Sequence, residues 1–265
     1  MATNVSEERI AAPAPTSPSS PAPRRKVPYR FRFLLIYGGL AGVVGAAIAG
    51  VVLLAGTGSG PGSSGWSTWK PNSAGAAGIR QIVQHVSDKY KLDNGKQLLD
   101  VIAKAPAVQD VPIHAVAVRG TGGHPDQISL IDAGNSLMFV LCGLGQSCSI
   151  ATGAPTIARG RLVRREALEL SLYTFKYIPN VKYIVAFMPP KRGAQPQYVV
   201  YFSKTDLSQQ LREPLERTLG PKTPVADTIT PKESVTIDRL TGSHEYQFQL
   251  QQAQQGDAIL VLSAV

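Results

Sequence analysis

Cysteine occurs only twice in these 265 residues, histidine four times and tryptophan twice, and each scarcity closes off a class of protein. Two cysteines cannot build the several bridges of a disulfide scaffold. Twenty-five glycines without a three-residue period exclude a collagen-like rod, and a hydrophobic content of 43% excludes a wholly disordered chain. The signatures of common reaction classes are missing too: no serine in a GxSxG elbow, no HExxH, no Walker loop and no dinucleotide fingerprint. What remains by composition is a basic chain of net charge +9, the balance of a protein that meets nucleic acid or a lipid surface.

Charge is absent altogether from one stretch. Phe33 to Ala55, FLLIYGGLAGVVGAAIAGVVLLA, carries no charged side chain. As a helix rising ~1.5 Å per residue it is about 34 Å long, enough to cross a hydrocarbon core of ~30 Å. The spacing therefore predicts one transmembrane helix over 33–55. Its flanks predict the orientation. Arg24, Arg25, Lys26, Arg30 and Arg32 precede the run, and the first positive charge after it is Lys70, so the N-terminus is expected in the cytoplasm and the C-terminal part outside it. The run exceeds the ~7–15 residues of a signal-peptide core, and no cysteine follows Leu54-Ala55-Gly56 to take a lipid, so an uncleaved signal anchor is the expectation.

Four segments follow from this reading. Residues 1–32 form a proline-rich tail ending in the basic cluster, a composition that buries too little apolar surface to order itself. Residues 33–55 are the span, whose Gly38, Gly42, Ala46 and Gly50 place small side chains on one stripe and would allow a homodimer through close helix packing. Residues 56–65, GTGSGPGSSG, are a flexible stalk with a reach of about 17 Å. Residues 66–265 are long enough for one domain with a sizeable core. Trp66 and Trp69 stand at its start, either in the headgroup layer or under the domain.

Separating the tail changes the meaning of the charge. Residues 1–32 hold six basic and two acidic residues, leaving 21 basic and 16 acidic beyond them, a net of +5. Those charges are scattered, with no aromatic-interleaved basic stripe and no fingerprint of a nucleic-acid module. The expected partners are accordingly the lipid bilayer and an envelope protein or polymer, not nucleic acid.

Periodicity in 66–265 predicts an α+β fold, a largely antiparallel sheet backed by two or three helices. Helices are expected at Ala76–Lys89, at Arg161–Ile178, and along the Leu207, Leu211, Leu215 and Leu219 ladder. Thr205 or Asp206 would cap that ladder, and Pro214 would kink it or start a second helix. Strands are expected at Pro112–Arg119, Ser136–Cys142, Val181–Met188, Gln197–Ser203, Val235–Leu240, Glu245–Gln251 and Ala258–Ser263. In Glu245–Gln251, Tyr246, Phe248 and Leu250 alternate with Glu245 and three glutamines, the pattern of one dry and one wet face.

Certain segments carry a resemblance. Arg164-Arg165-Glu166-Ala167-Leu168-Glu169-Leu170 with Tyr173-Thr174-Phe175-Lys176-Tyr177, Val140-Leu141-Cys142-Gly143-Leu144-Gly145, and Phe248-Gln249-Leu250-Gln251-Gln252-Ala253-Gln254 with Val261-Leu262 resemble uncharacterised single-pass membrane proteins of high-GC Gram-positive bacteria. The resemblance implies a bacterial plasma membrane and no catalytic residue or cofactor.

Cys142 and Cys148 close CGLGQSC, and outside the cytoplasm a disulfide is the leading reading for them. A redox pair lacks the CxxC spacing and zinc lacks a second ligand pair. Arg165, Glu166 and Glu169 read as a solvated, salt-bridged helix start, with a paired-carboxylate acid/base site as the alternative. His124 in GGHPD reads as a turn residue. The function expected is a non-enzymatic, membrane-anchored envelope protein with an exported binding or assembly domain. The alternative is an envelope enzyme, hydrolase-like, using dispersed groups such as His124, Asp126 and Asp132.

Overall fold

Alternating apolar residues build the sheet, and the register shows which side each row faces. In the computed structural model, which describes residues 65–108, 111–120, 127–252 and 258–265, the strands are β1 (Leu99–Lys104), β2 (Ala107–Val108), β3 (Val111–Arg119), β4 (Ile128–Asp132), β5 (Ser136–Gly143), β6 (Tyr183–Phe187), β7 (Tyr198–Ser203), β8 (Glu245–Gln252) and β9 (Ala258–Ala264). They form one sheet in the order β1-β5-β6-β7-β8-β9-β3-β2, with β4 also on β3. Pairing is antiparallel except at β5–β6 and β3–β9. The fold is thus α+β with a mostly antiparallel sheet, as the periodicity predicts. The β5–β6 exception arises because a long helix lies between those strands, giving the crossover that parallel neighbours require.

Helices are α1 (Gly75–Ser87), α2 (Ile157–Tyr177), the short α3 (Ser208–Arg212) and α4 (Leu215–Thr218), and α5 (Pro231–Thr241). Ile79, Ile82 and Val86 of α1 pack with Leu162, Leu168, Leu172 and Phe175 of α2 against Leu137, Phe139, Ile184 and Phe202 of the sheet. The opposite face gathers Met138, Val185 and Val199 with Val116, Val118, Leu260 and Leu262 in a second core to which none of the α-helices contributes. Strands far apart in the order meet there, so the sheet coils over its own inner face.

Helices cover the outer face only on the β1-β5-β6-β7 half. On the other half, register places Gln249, Val261, Ala117 and Leu130 in one outward row, and Gln247, Ser263, Arg119 and Ile128 in the next. The glutamines are exposed, whereas Val261 and Ala117, between Gln249 and β4 in the first row, are buried, at 5% and 7% exposure. Leu130 and Ile128, on β4, are 72% and 53% exposed.

Several sequence expectations need correction. Val235–Leu240 is not a strand but lies within α5, whose start is set by Thr230, whose hydroxyl accepts from the Glu233 amide at 3.3 Å, and by Pro231 in the first turn. Helix α2 begins at Ile157, four residues before the expected Arg161, because Thr156 caps it by accepting from the Arg159 amide. Of the alternatives at Pro214, a second helix is the one found. Leu207, not Thr205 or Asp206, precedes α3, and the Asp206 carboxylate accepts from the Ser203 amide instead. Strands β1, β2 and β4 carry no expectation from the sequence.

Both tryptophans belong to the domain: Trp66 is buried in the helical core and Trp69 packs against it. The predicted span 33–55, its stripe Gly38, Gly42, Ala46 and Gly50, and the cluster Arg24, Arg25, Lys26, Arg30 and Arg32 lie outside the described residues. Among the described residues no helix is long and apolar enough to cross a membrane.

Candidate functional site

Helix α2 is charged in its first half and becomes apolar nearly all round from Leu168, so the charges nearest that stretch are drawn into the core. Arg165, Glu166 and Glu169 are 1%, 0% and 3% exposed. This overturns their reading as a solvated helix start; the neighbouring Arg161 and Arg164, partly exposed, grip Asp238 of α5 instead. That double grip, with the Arg161 hydrogen bonds foremost, holds the Asp238 carboxyl below the usual carboxylate range.

The buried charges form a continuous chain across three elements. Lys89, just past α1, pairs with Glu169 Oε1. The Tyr90 hydroxyl donates to Glu169 Oε2 at 2.6 Å and accepts from Arg165 Nη1 at 2.5 Å. Arg165 Nη1 also reaches Glu169 Oε2 at 3.0 Å, its Nε reaches Glu233 Oε1 of α5 at 2.8 Å, and its Nη2 donates to the Gly220 carbonyl at 3.1 Å. Glu233 Oε1 in turn accepts the Gly220 amide at 2.9 Å. Burial opposes the Arg165 charge, but Tyr90, Glu169 and Glu233 outweigh it and raise its pKa. Burial, and then Glu169, raise the Tyr90 pKa. With donors and acceptors matched in this way, the chain fastens α1, α2 and α5 together.

Glu166 is the exception. Neither of its oxygens has a hydrogen-bond partner. Burial first, then the neighbouring Glu169, push its pKa well above the usual carboxylate range; the Ser87 hydroxyl acts in the opposite sense but makes no well-formed bond. A group whose folded-state pKa is raised contributes stability at low pH and loses it as pH rises toward that folded value. Glu166→Gln, which stays neutral at every pH, should therefore gain stability on the natural protein as pH rises to 8, by about 1.4 kcal/mol for each pH unit over which the folded carboxyl would hold a proton that the unfolded one has lost. The difference should shrink toward pH 4. Thermal melts of both proteins from pH 4 to 8 check this, and parallel curves would contradict it.

The surface end of the chain opens on a polar cleft of about 420 Å³ lined by Trp69, Asn72, Gln81, Gln84, His85 and Asp88. Trp69 stacks on His85 at 3.9 Å between ring centres, and Lys89 Nζ lies 3.5 Å from His85 Nε2. Burial, reinforced by Lys89, lowers the His85 pKa.

The cysteines are joined. Their sulfurs are 2.05 Å apart and their Cα atoms 4.5 Å. The glycines of CGLGQSC are needed because the loop folds onto itself: a Cβ at Gly143 would fall 2.3 Å from the Ser149 carbonyl oxygen, and one at Gly145 would fall 2.7 Å from it. Next to this loop is a second cleft, of about 260 Å³, between the start of α2 and the segment after β6.

Of the dispersed acid/base groups only Asp132 is among the described residues. His124 and Asp126 lie outside the described residues. Asp132 is exposed, and its carboxylate accepts the Gly134 amide at 2.9 Å as a turn cap. Among the described residues no cluster of three metal-binding side chains occurs. Sequence reasoning missed Lys89, Tyr90 and Glu233 as partners of α2; the available signal was Glu169, set between Leu168 and Leu170 where the helix turns apolar. Comparison with known proteins finds no match: no family model, no curated protein and no solved structure is similar to this chain.

Proposed function

We propose that this chain is a membrane-anchored protein of a bacterial cell envelope, single-pass with a cytoplasmic N-terminus, whose exported domain is a non-enzymatic binding or assembly module. The observation that carries the module reading is the outer half of the sheet that no helix covers, where Val261 and Ala117 are buried and the glutamines and the β4 edge are what reach solvent. Its rows combine exposed glutamines, neutral donors and acceptors that need no charge partner, with the outward Leu130 and Ile128. The partner we assign to it is another envelope protein, because leucine and isoleucine at the border of an amide-rich face suit a protein interface better than a polysaccharide. Anchoring is supported by the uncharged run 33–55 and the basic residues before it.

One set of cells tests both parts. A membrane-impermeant maleimide should label Cys142 and Cys148 in intact cells after reduction; labelling that requires lysis would overturn the topology. A photo-crosslinking residue at position 130 should give a discrete protein adduct that Ile128→Glu abolishes, whereas the same probe at Val235, 67% exposed on α5, gives none. Absence of the adduct at 130, or equal adducts at both positions, would overturn the module reading.

A further inference from the structure

We infer that the cleft beside the cysteine loop binds a small anion carried on a short apolar stem. Its floor is apolar, made by Ile150, by Val163 of α2 and by Met188 after β6, while Arg159, Lys191 and Arg192 stand around it. No carboxylate lines it, and among the described residues none of the three cations is ion-paired. Three like charges around one small opening repel one another, and a bound anion converts that repulsion into attraction.

The two arginines are held in place for this. Arg159 Nη1 donates to the Thr152 carbonyl at 2.7 Å, and Arg192 Nη2 to the Ala151 carbonyl at 2.8 Å. Gly153, at φ +78°, lets the Arg159 guanidinium lie against the backbone: a Cβ there would be 2.3 Å from Nη2. Both guanidinia are thus fixed on residues 151–153, which follow directly on the loop closed by Cys142 and Cys148. Each is fixed through one of its five N–H donors, so donors remain for a phosphate or carboxylate.

A bare ion needs no apolar floor, and an apolar ligand needs no cations, so the ligand has both parts. The volume is below the ~300–1,000 Å³ of drug-sized pockets, which suits a few carbons and one anionic group. An alkyl phosphate is the simplest such compound. The same chemistry is found free in solution or at the headgroup of an anionic lipid. The site is composed entirely of described residues of the folded domain and does not depend on how the chain is anchored.

Calorimetric titration of the full chain in phosphatidylcholine nanodiscs tests this, with hexyl phosphate as probe and inorganic phosphate and hexanol as controls. Hexyl phosphate should bind at least ten-fold tighter than either control, and Arg159→Gln with Arg192→Gln should weaken it at least ten-fold. Gly160 lines the cleft, and a Cβ there meets nothing within 4 Å. Gly160→Leu should therefore leave the fold intact and abolish hexyl phosphate binding by filling the space. Discs containing phosphatidylglycerol separate the sources: loss of hexyl phosphate binding there assigns the site to a lipid headgroup, retention to a soluble ligand. No saturable binding by the natural protein, or unchanged affinity in Gly160→Leu, would overturn the inference.

Discussion

Arg165→Met should destabilise the domain by about 3–5 kcal/mol, the cost of removing one partner from a buried ionic cluster. The guanidinium is 1% exposed and holds Tyr90, Glu169, Glu233 and the Gly220 carbonyl at once. With it gone, Glu233 keeps only the Gly220 amide, and Glu169 faces the buried Glu166 with Lys89 and Tyr90 as its remaining partners. Arg165→Lys should lose nearly as much, since an ammonium with three donors at one point cannot address four acceptors spread around a planar fork. Replacing the cluster as a whole, Arg165→Met with Glu169→Met and Glu233→Gln, should recover part of the loss, because apolar replacements avoid the desolvation of unpaired charge. Urea unfolding at pH 7 measures all three. A loss below ~1 kcal/mol in Arg165→Met would mean that α1, α2 and α5 are held by apolar packing alone.

How far such a cluster can be read from sequence is instructive. The helical period of α2 and the alternation of β8 are both visible, because one-dimensional periodicity is what a helix or strand with a buried face imposes. Burial of Arg165, Glu166 and Glu169 is not visible from their own spacing, since an i,i+4 Arg–Glu pair reads the same on a wet face as in a core. It depends on Tyr90 and Glu233, 75 and 68 residues away. Val235–Leu240 misled for a different reason. Val235, Thr236 and Ile237 are β-branched and favour a strand, yet Thr230-Pro231-Lys232-Glu233 is the Ser/Thr-x-x-Glu signature of a helix start, and tertiary packing of Ile237 and Leu240 sided with the cap. The cysteine loop was legible in full, because a short Cys-to-Cys segment with two glycines has few ways to close. The two clefts were not, because each is assembled from segments far apart in the chain.

Trp66→Ala should cost about 3–5 kcal/mol, as a large aromatic truncated in a core does. The alternative left open by the sequence, that Trp66 and Trp69 rest in the lipid headgroups, makes the contrary forecast of an unchanged domain stability. Trp66 is 4% exposed, and the edges and faces of its ring meet Tyr173 and Tyr177 of α2 at 5.3 and 5.8 Å between centres. Its indole N–H donates to the Gln210 carbonyl at 3.0 Å, and its own carbonyl accepts the Leu215 amide at 2.8 Å. The first described residues thereby pin α3 and α4 onto α2, and the Lys176 ammonium, 5.6 Å above the ring, adds a cation–π contact. Trp66→Phe keeps most of the buried area and loses the indole hydrogen bond, so about 1–2 kcal/mol should separate it from the natural protein. Trp69, only partly buried and stacked on His85, should cost less than Trp66 when truncated to alanine. Denaturant unfolding followed by far-ultraviolet circular dichroism ranks the three. If Trp66→Ala unfolds at the natural midpoint, the folded unit starts later than Trp66, and α3 and α4 must be held by Leu215 and Leu219 without it.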